Sequence, residues 1–173
     1  MITIRYFSIA FLECDGKQLM MKRNGKSEIA TNMWAPVGGH IEDGEHRDPY
    51  RSCLREILEE TGIEETEISG LELKYIVMRK KKNEIRIQYV YFGSTMQLEL
   101  ASCDEGTLHW INEDELSGLN TTFTTKEIIK KQCNSLNSIE KIQVGIVDED
   151  GDIPYMNWSN IEDWENEKNK GAL

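Results

Sequence analysis

Three glutamates stand close enough in the chain to share one cation. Glu56, Glu59 and Glu60 lie at i, i+3 and i+4, the spacing that gathers side chains on one side of a helix. Carboxylates placed this way repel by roughly 0.2–0.5 kcal/mol per pair unless something positive sits among them. A hard divalent cation, which takes carboxylate oxygens as ligands, supplies that charge. Mg²⁺ is the expected ion, with Mn²⁺ as a substitute. A solvated, glutamate-rich helix has the same spacing, because Glu is a good helix former and exposed acidic faces are common. The fragment REILEE taken alone favours that plainer reading.

The carboxylates need a rigid helix, and the flanking residues mark one of about four turns. Asp48 is a good N-cap, Pro49 suits the first turn, and Gly62 can take the left-handed conformation that ends a helix. Tyr50, Cys53, Leu54, Ile57 and Leu58 recur at helical spacing and are expected to form its buried side. Upstream, Met33-Trp34-Ala35-Pro36-Val37 leads as an aromatic strand into the pair Gly38-Gly39, and Gly44-Glu45 makes a turn before the helix.

In this context Gly39, Glu45, Arg55, Glu56, Ile57, Glu59, Glu60, Gly62 and Ile63 resemble the Nudix box, Gly-x5-Glu-x7-Arg-Glu-apolar-x-Glu-Glu-x-Gly-apolar. There is one departure. Nine residues, His46 to Leu54, separate Glu45 from Arg55 where the pattern has seven. Asp48-Pro49 can start the helix after the extra residues, which then lengthen a loop and leave the helical carboxylates undisturbed. In many relatives proline directly precedes the two glycines, whereas Val37 intervenes here.

The resemblance implies a fold and a chemistry. The fold is an α/β/α sandwich with a mixed central sheet, the box helix on one side and a C-terminal helix on the other. The chemistry is hydrolysis of nucleoside diphosphates linked to another group, by attack of water on a phosphorus of the diphosphate bridge. Metal ligands would be Glu56, Glu59, Glu60 and the backbone carbonyl of Gly38. Glu59, or Glu105 in a loop ahead of a later strand, would act as general base. For Glu105 the alternative is a solvent-facing acidic loop. Arg55 is expected to pair with Glu45 and fix the loop, not to touch substrate.

Specificity is read by resemblance and elimination. Arg23, at the end of an early strand, sits where MutT-type members carry a phosphate-contacting arginine, and an ordinary surface arginine fits as well. Trp34 either lines the nucleotide pocket or packs as a core tryptophan. The proline that accompanies ADP-ribose hydrolysis is missing, since none follows Pro49 until Pro154. The proline-rich, aromatic signature of NADH pyrophosphatases is missing too. A MutT-like nucleoside triphosphate pyrophosphatase is therefore expected, releasing a monophosphate and pyrophosphate, with an oxidised purine such as 8-oxo-dGTP as one substrate. Dinucleoside polyphosphates and nucleotide sugars are alternatives, as is a nucleotide-sensing domain that binds without turnover.

The 173 residues fit one domain with a sizeable core. The formal charge of −11 argues against nonspecific binding to nucleic-acid backbone. It would also repel a phosphate substrate, unless a bound cation reverses the local sign. No apolar run is long enough to cross a membrane and no secretory signal is visible, so the cytoplasm is the default compartment. Cys14, Cys53, Cys103 and Cys133 are far apart and read as reduced packing residues.

Along the chain, residues 2–14 and Gln18 to Lys22 read as a hairpin around Asp15-Gly16, and Asn24 to Asn32 as a flexible loop. Two long strands are expected over Leu71 to Met78 and Ile85 to Phe92, joined by a solvated basic tip from Arg79 to Asn83. A short strand follows over Thr107 to Ile111, and then a helical turn at Glu113 to Leu116. A helix capped by Thr124 or Thr125 reaches about Leu136. Residues 1–138 would be the main domain, 139–159 an appended C-terminal β-hairpin around Asp150-Gly151, and 160–173 a fraying tail. The hairpin can pack on its own sheet or pair with a second copy, giving a homodimer.

Overall fold

The computed structural model describes residues 1–24, 32–133 and 141–162. Most of the loop expected over Asn24 to Asn32, the end of the helix expected near Leu136 and most of the expected tail lie outside these residues.

Strands β1 (Thr3–Cys14) and β2 (Lys17–Arg23) form the expected hairpin. Asp15 and Gly16 both take positive φ, 51° and 71°, the geometry that a two-residue hairpin turn needs to match strand twist. β3 (Trp34–Ala35) pairs with β2, and β4 (Val37–His40) with β1. Helix α1 (Pro49–Thr61) follows, then β5 (Ile68–Lys81), β6 (Glu84–Thr95), β7 (Gly106–Asn112), the single turn α2 (Glu113–Leu116) and α3 (Phe123–Cys133). β8 (Gln143–Asp150) and β9 (Ile153–Asn160) complete the order.

The nine strands among the described residues belong to one sheet, ordered β3-β2-β1-β6-β5-β8-β9, with β4 and β7 attached to β1 and β2. β1–β6 and β5–β8 are parallel and the other pairs antiparallel, so the sheet is mixed. Side chains alternate along each strand, and each face carries its own core. Ala10, Leu12, Val37 and Tyr91 pack against Cys53 and Ile57 of α1. Phe11, Tyr75, Val77 and Val90 pack against Ile128 and Ile129 of α3. The α/β sandwich expected from the sequence is the one observed. β8 continues the main sheet by pairing with β5, and Trp158 of β9 lies edge-on to Tyr75, 5.1 Å between ring centroids. No helix among the described residues is long and apolar enough to cross a membrane.

Three local readings change. Tyr50 and Leu58 are exposed, while Ser52, Cys53, Ile57, Glu60 and Thr61 form the buried arc of α1. Leu58 lies about 140° from the middle of that arc, near Cys53, whereas Tyr50 shares its direction but stands in the first turn, at the end of the helix. The cap of α3 is Thr122, whose hydroxyl accepts from the Thr125 amide at 3.3 Å, while Thr124 and Thr125 lie in the first turn. The tip between β5 and β6 is shorter than expected. It is confined to Lys82 and Asn83, with Lys82 at φ 55°, so Arg79 is a strand residue paired with Arg86.

Candidate functional site

The ends of α1 are fixed as its sequence dictates. The Asp48 carboxylate accepts from the Arg51 amide at 3.2 Å, and Gly62 at φ 77° donates to the Leu58 carbonyl at 2.9 Å. Between these caps the three acids separate. At about 100° per residue, Glu56 and Glu60 lie only about 40° apart, whereas Glu59 is displaced about 60° to the other side. Side-chain exposure follows: 13% for Glu56 against 58% for Glu59. Glu60 is 5% exposed as a residue. The acids therefore do not form one equivalent trio. Among the described residues no three His, Cys, Asp or Glu side chains already stand at metal-binding spacing.

The glycine pair brings backbone up to these carboxylates. The Gly38 amide donates to Glu60 Oε2 at 2.8 Å. A Cβ on Gly38 would lie 2.2 Å from the Ser8 carbonyl oxygen, and one on Gly39 would lie 2.5 Å from Glu56 Oε2. Both positions are closed to side chains by close approach, one against β1 and the other against the acid itself.

Arg55 organises the outer rim. Its guanidinium donates to Glu45 through Nε at 3.1 Å and Nη2 at 3.0 Å, to Glu56 at 2.9 Å, to Glu59 at 3.0 Å and to the His40 carbonyl at 3.1 Å. The longer loop thus leaves Glu45 in contact with Arg55. This fork holds the Glu45 carboxyl down at about 2. Glu56 and Glu60 move the other way. Burial raises both, with Arg55 opposing the rise at Glu56, and Glu60 is pushed up to about 8 despite the Gly38 hydrogen bond.

Across a cleft of about 480 Å³ from the helix stand Arg23 and Glu105, paired at 3.3 Å. The loop bearing Glu105 is pinned to the end of β2 by the Asn24 amide, which donates to the Glu105 carbonyl at 2.9 Å. Glu105 therefore approaches from opposite α1. Arg23, Gly38, Glu56, Glu59 and Glu105 all line the cleft, and Glu60 lies behind Gly38. Trp34 is not among its lining residues. It packs half-buried against the α3-side core, edge-on to the His109 ring at 5.2 Å and beneath Lys22 at 5.8 Å. Strand pairing with Lys22 directs it there, which is the core alternative of the sequence reading.

The sequence reading assigns no role to Arg79, Arg86, Gln88, Phe7 and His40, which also line the cleft. Arg86 and Gln88 fall within the strand expected over Ile85 to Phe92 with no role assigned, and Arg79 falls within the expected basic tip. The available signal was that Val90, on the same face as Arg86 and Gln88, is apolar, marking that face as covered.

The donors suit a hard cation. Glu56 and Glu60 present carboxylate oxygens whose charge is penalised by burial and by the neighbouring Glu105, and a divalent ion removes both penalties.

A sequence model of the NUDIX domain matches residues 3–132. The fold is similar to a mutator MutT protein from Bacillus halodurans at TM-score 0.66 and 20% identity, covering 90% of this chain and 97% of that one. It is also similar to a MutT NUDIX hydrolase from Burkholderia pseudomallei at 0.62 and 24%, covering 74% and 97%. The NUDIX domain of Shewanella oneidensis NrtR, solved with ADP ribose, matches at 0.62 and 15%, covering 79% and 90%.

Proposed function

The chain belongs to the Nudix family of hydrolases acting on pyrophosphate bonds, and from that premise we propose that it is a Mg²⁺-dependent nucleoside triphosphate pyrophosphatase of MutT type. The observation that supports this reading is the opposition of Glu56 and Glu60 on α1 to Arg23 and Glu105 across one cleft.

Glu56 and Glu60, with Glu59 and the Gly38 carbonyl, are the ligands we assign to Mg²⁺, with Mn²⁺ as a substitute. A bound divalent ion supplies Lewis acidity toward phosphoryl oxygens and lowers the pKa of water. Arg55 keeps the acids in place through its fork to Glu45 and takes no part in the chemistry. Arg23 donates to a phosphate oxygen, since its Nε is buried without an acceptor among the described residues. Glu59 or Glu105, both on the open side of the cleft, accepts the proton of the attacking water. Water oxygen bonds to phosphorus as the bridging P–O bond breaks, leaving a nucleoside monophosphate and pyrophosphate.

An oxidised purine triphosphate such as 8-oxo-dGTP is the first substrate to try. Dinucleoside polyphosphates and nucleotide sugars are the alternatives. The Shewanella domain solved with ADP ribose adds that ligand to the panel and keeps a binding-only role in view. Incubating the protein with these nucleotides and Mg²⁺, with product identification and a chelator control, separates the possibilities. Turnover of no member, or turnover unaffected by Glu60→Gln at saturating Mg²⁺, would falsify the catalytic reading. Binding without turnover identifies a sensor. The partner is a small nucleotide, and the C-terminal hairpin offers an edge for a homodimer. A cytoplasmic location follows the same reading.

A further inference from the structure

Three arginines stand side by side on neighbouring strands, and two of them, Arg79 and Arg86, line the cleft. β1 and β6 pair Arg5 with Arg86, and β5 and β6 pair Arg79 with Arg86. Like charges directly opposite on neighbouring strands destabilise a sheet. Glu84 offsets part of this by pairing with both Arg5, at 2.9 Å, and Arg86. Arg86 is 7% exposed, and the Arg79 Nε is buried with no acceptor among the described residues. Burial and Arg86 together disfavour the charge on Arg79. The amide oxygen of Gln88, on the strand carrying Arg86, also lacks a partner among the described residues, and its side-chain amide can present either a donor or an acceptor.

A neutral base edge would satisfy the hydrogen bonds of this row but leave its repulsion in place. An anion answers both, through charge-assisted hydrogen bonds to guanidinium. Position then constrains which anion. Four residues along β1 separate Arg5 from Ile9, whose partner Gly38 holds Glu60, a rise of about 13 Å. Phosphorus held over the glutamates and an anion held by the row therefore belong to different ends of one ligand.

We propose that Arg79 and Arg86, extended by Arg5 and assisted by Gln88, form an anion subsite. The preferred substrate then carries a second anionic group, a phosphomonoester or carboxylate, away from the phosphoanhydride that is cleaved. This rests on the phosphoanhydride reading above and narrows its substrate class. A nucleotide bearing a further phosphate on its sugar, or one conjugated to a carboxylate-bearing group, satisfies both ends.

The test compares ligand pairs differing by one anion, by calorimetry with Mg²⁺ present. Adenosine 3′,5′-bisphosphate is set against adenosine 5′-monophosphate, and UDP-glucuronate against UDP-glucose. The more anionic member of at least one pair is expected to bind on the order of tenfold more tightly, and the pair that responds identifies phosphate or carboxylate as the source. Arg79→Gln should abolish that preference and leave the less anionic member unchanged, with Arg79→Lys restoring part of it. Equal affinity within both pairs overturns the subsite. So does an Arg79→Gln protein that binds all four ligands more weakly by one common factor. Turnover of the whole nucleotide panel is followed in parallel. Turnover of no member, with the preference retained, sinks the catalytic reading and leaves the subsite standing.

Discussion

Arg55 and Glu45 meet through two hydrogen bonds, Nε to Oε1 at 3.1 Å and Nη2 to Oε2 at 3.0 Å, across a loop two residues longer than the family pattern. Glu45 also accepts from the Glu42 amide at 3.1 Å, and the Asp48 amide donates to the Glu45 carbonyl at 2.8 Å. The extra length is thus absorbed between an anchored acid and an anchored helix cap. Lysine cannot reproduce the planar fork. Arg55→Lys is expected to lose about 1–3 kcal/mol of stability and to weaken Mg²⁺ binding, read by urea unfolding and metal titration. Unchanged values in both would show that the fork is dispensable.

The glycine pair separates two effects that most substitutions confound. In Gly38→Ala the new methyl meets backbone, 2.2 Å from the Ser8 carbonyl oxygen, at a φ of 138°. Neither partner can yield, so the loss is global, on the order of 2–4 kcal/mol. In Gly39→Ala the methyl meets the Glu56 carboxylate, which can swing aside. That variant should melt close to the parent yet bind Mg²⁺ at least tenfold more weakly. Equal melting of the two variants would contradict the distinction.

Much of this arrangement is legible in the chain. Asp48, Pro49 and Gly62 delimit α1 to the residue, because caps act locally and each has its own side-chain or backbone requirement. The hairpins at Asp15-Gly16 and near Asp150-Gly151 are legible for the same reason. The division of labour among Glu56, Glu59 and Glu60 is hidden, since helical spacing gives a common side but not the depth at which the sheet covers it. Arg79 is hidden too. Its neighbours Lys80 to Lys82 have loop composition, and only the long-range pairing of β5 with β6 converts Arg79 into a cleft residue.

Glu60 makes the metal-free protein sensitive to pH. Its carboxyl titrates near 8 when folded, against about 4.5 when free. Between those values the folded chain holds a proton that the unfolded chain has lost, so stability falls as pH rises through this window. The slope is at most about 1.4 kcal/mol per pH unit. In chelator, unfolding free energy should therefore drop from pH 5 to pH 8, and Glu60→Gln should flatten the curve. Mg²⁺ should reverse the trend and release protons on binding near pH 7. A flat metal-free profile in the parent would remove burial of Glu60 as the cause.

Glu59 and Glu105 are both placed to take the proton of water, and their surroundings distinguish them. Glu59 Oε2 accepts from Arg55 and lies on the helix that carries the metal ligands, whereas Glu105 Oε2 faces Arg23 from the opposite wall. Each oxygen is engaged by an arginine, so a change of charge alone does not decide the role. Glutamine at the position of the base removes the proton acceptor but keeps the shape, and is expected to lower kcat by about 10²–10⁴ with KM little changed. It should also remove the acidic limb of the pH–rate profile. Glutamine at the other position is expected to alter the Mg²⁺ concentration for half-maximal rate if it is Glu59, or KM through Arg23 if it is Glu105. Single-turnover rates at saturating Mg²⁺ across pH 5–9 for both variants make the assignment. An acidic limb surviving in both would exclude the pair and point to a water with no protein base.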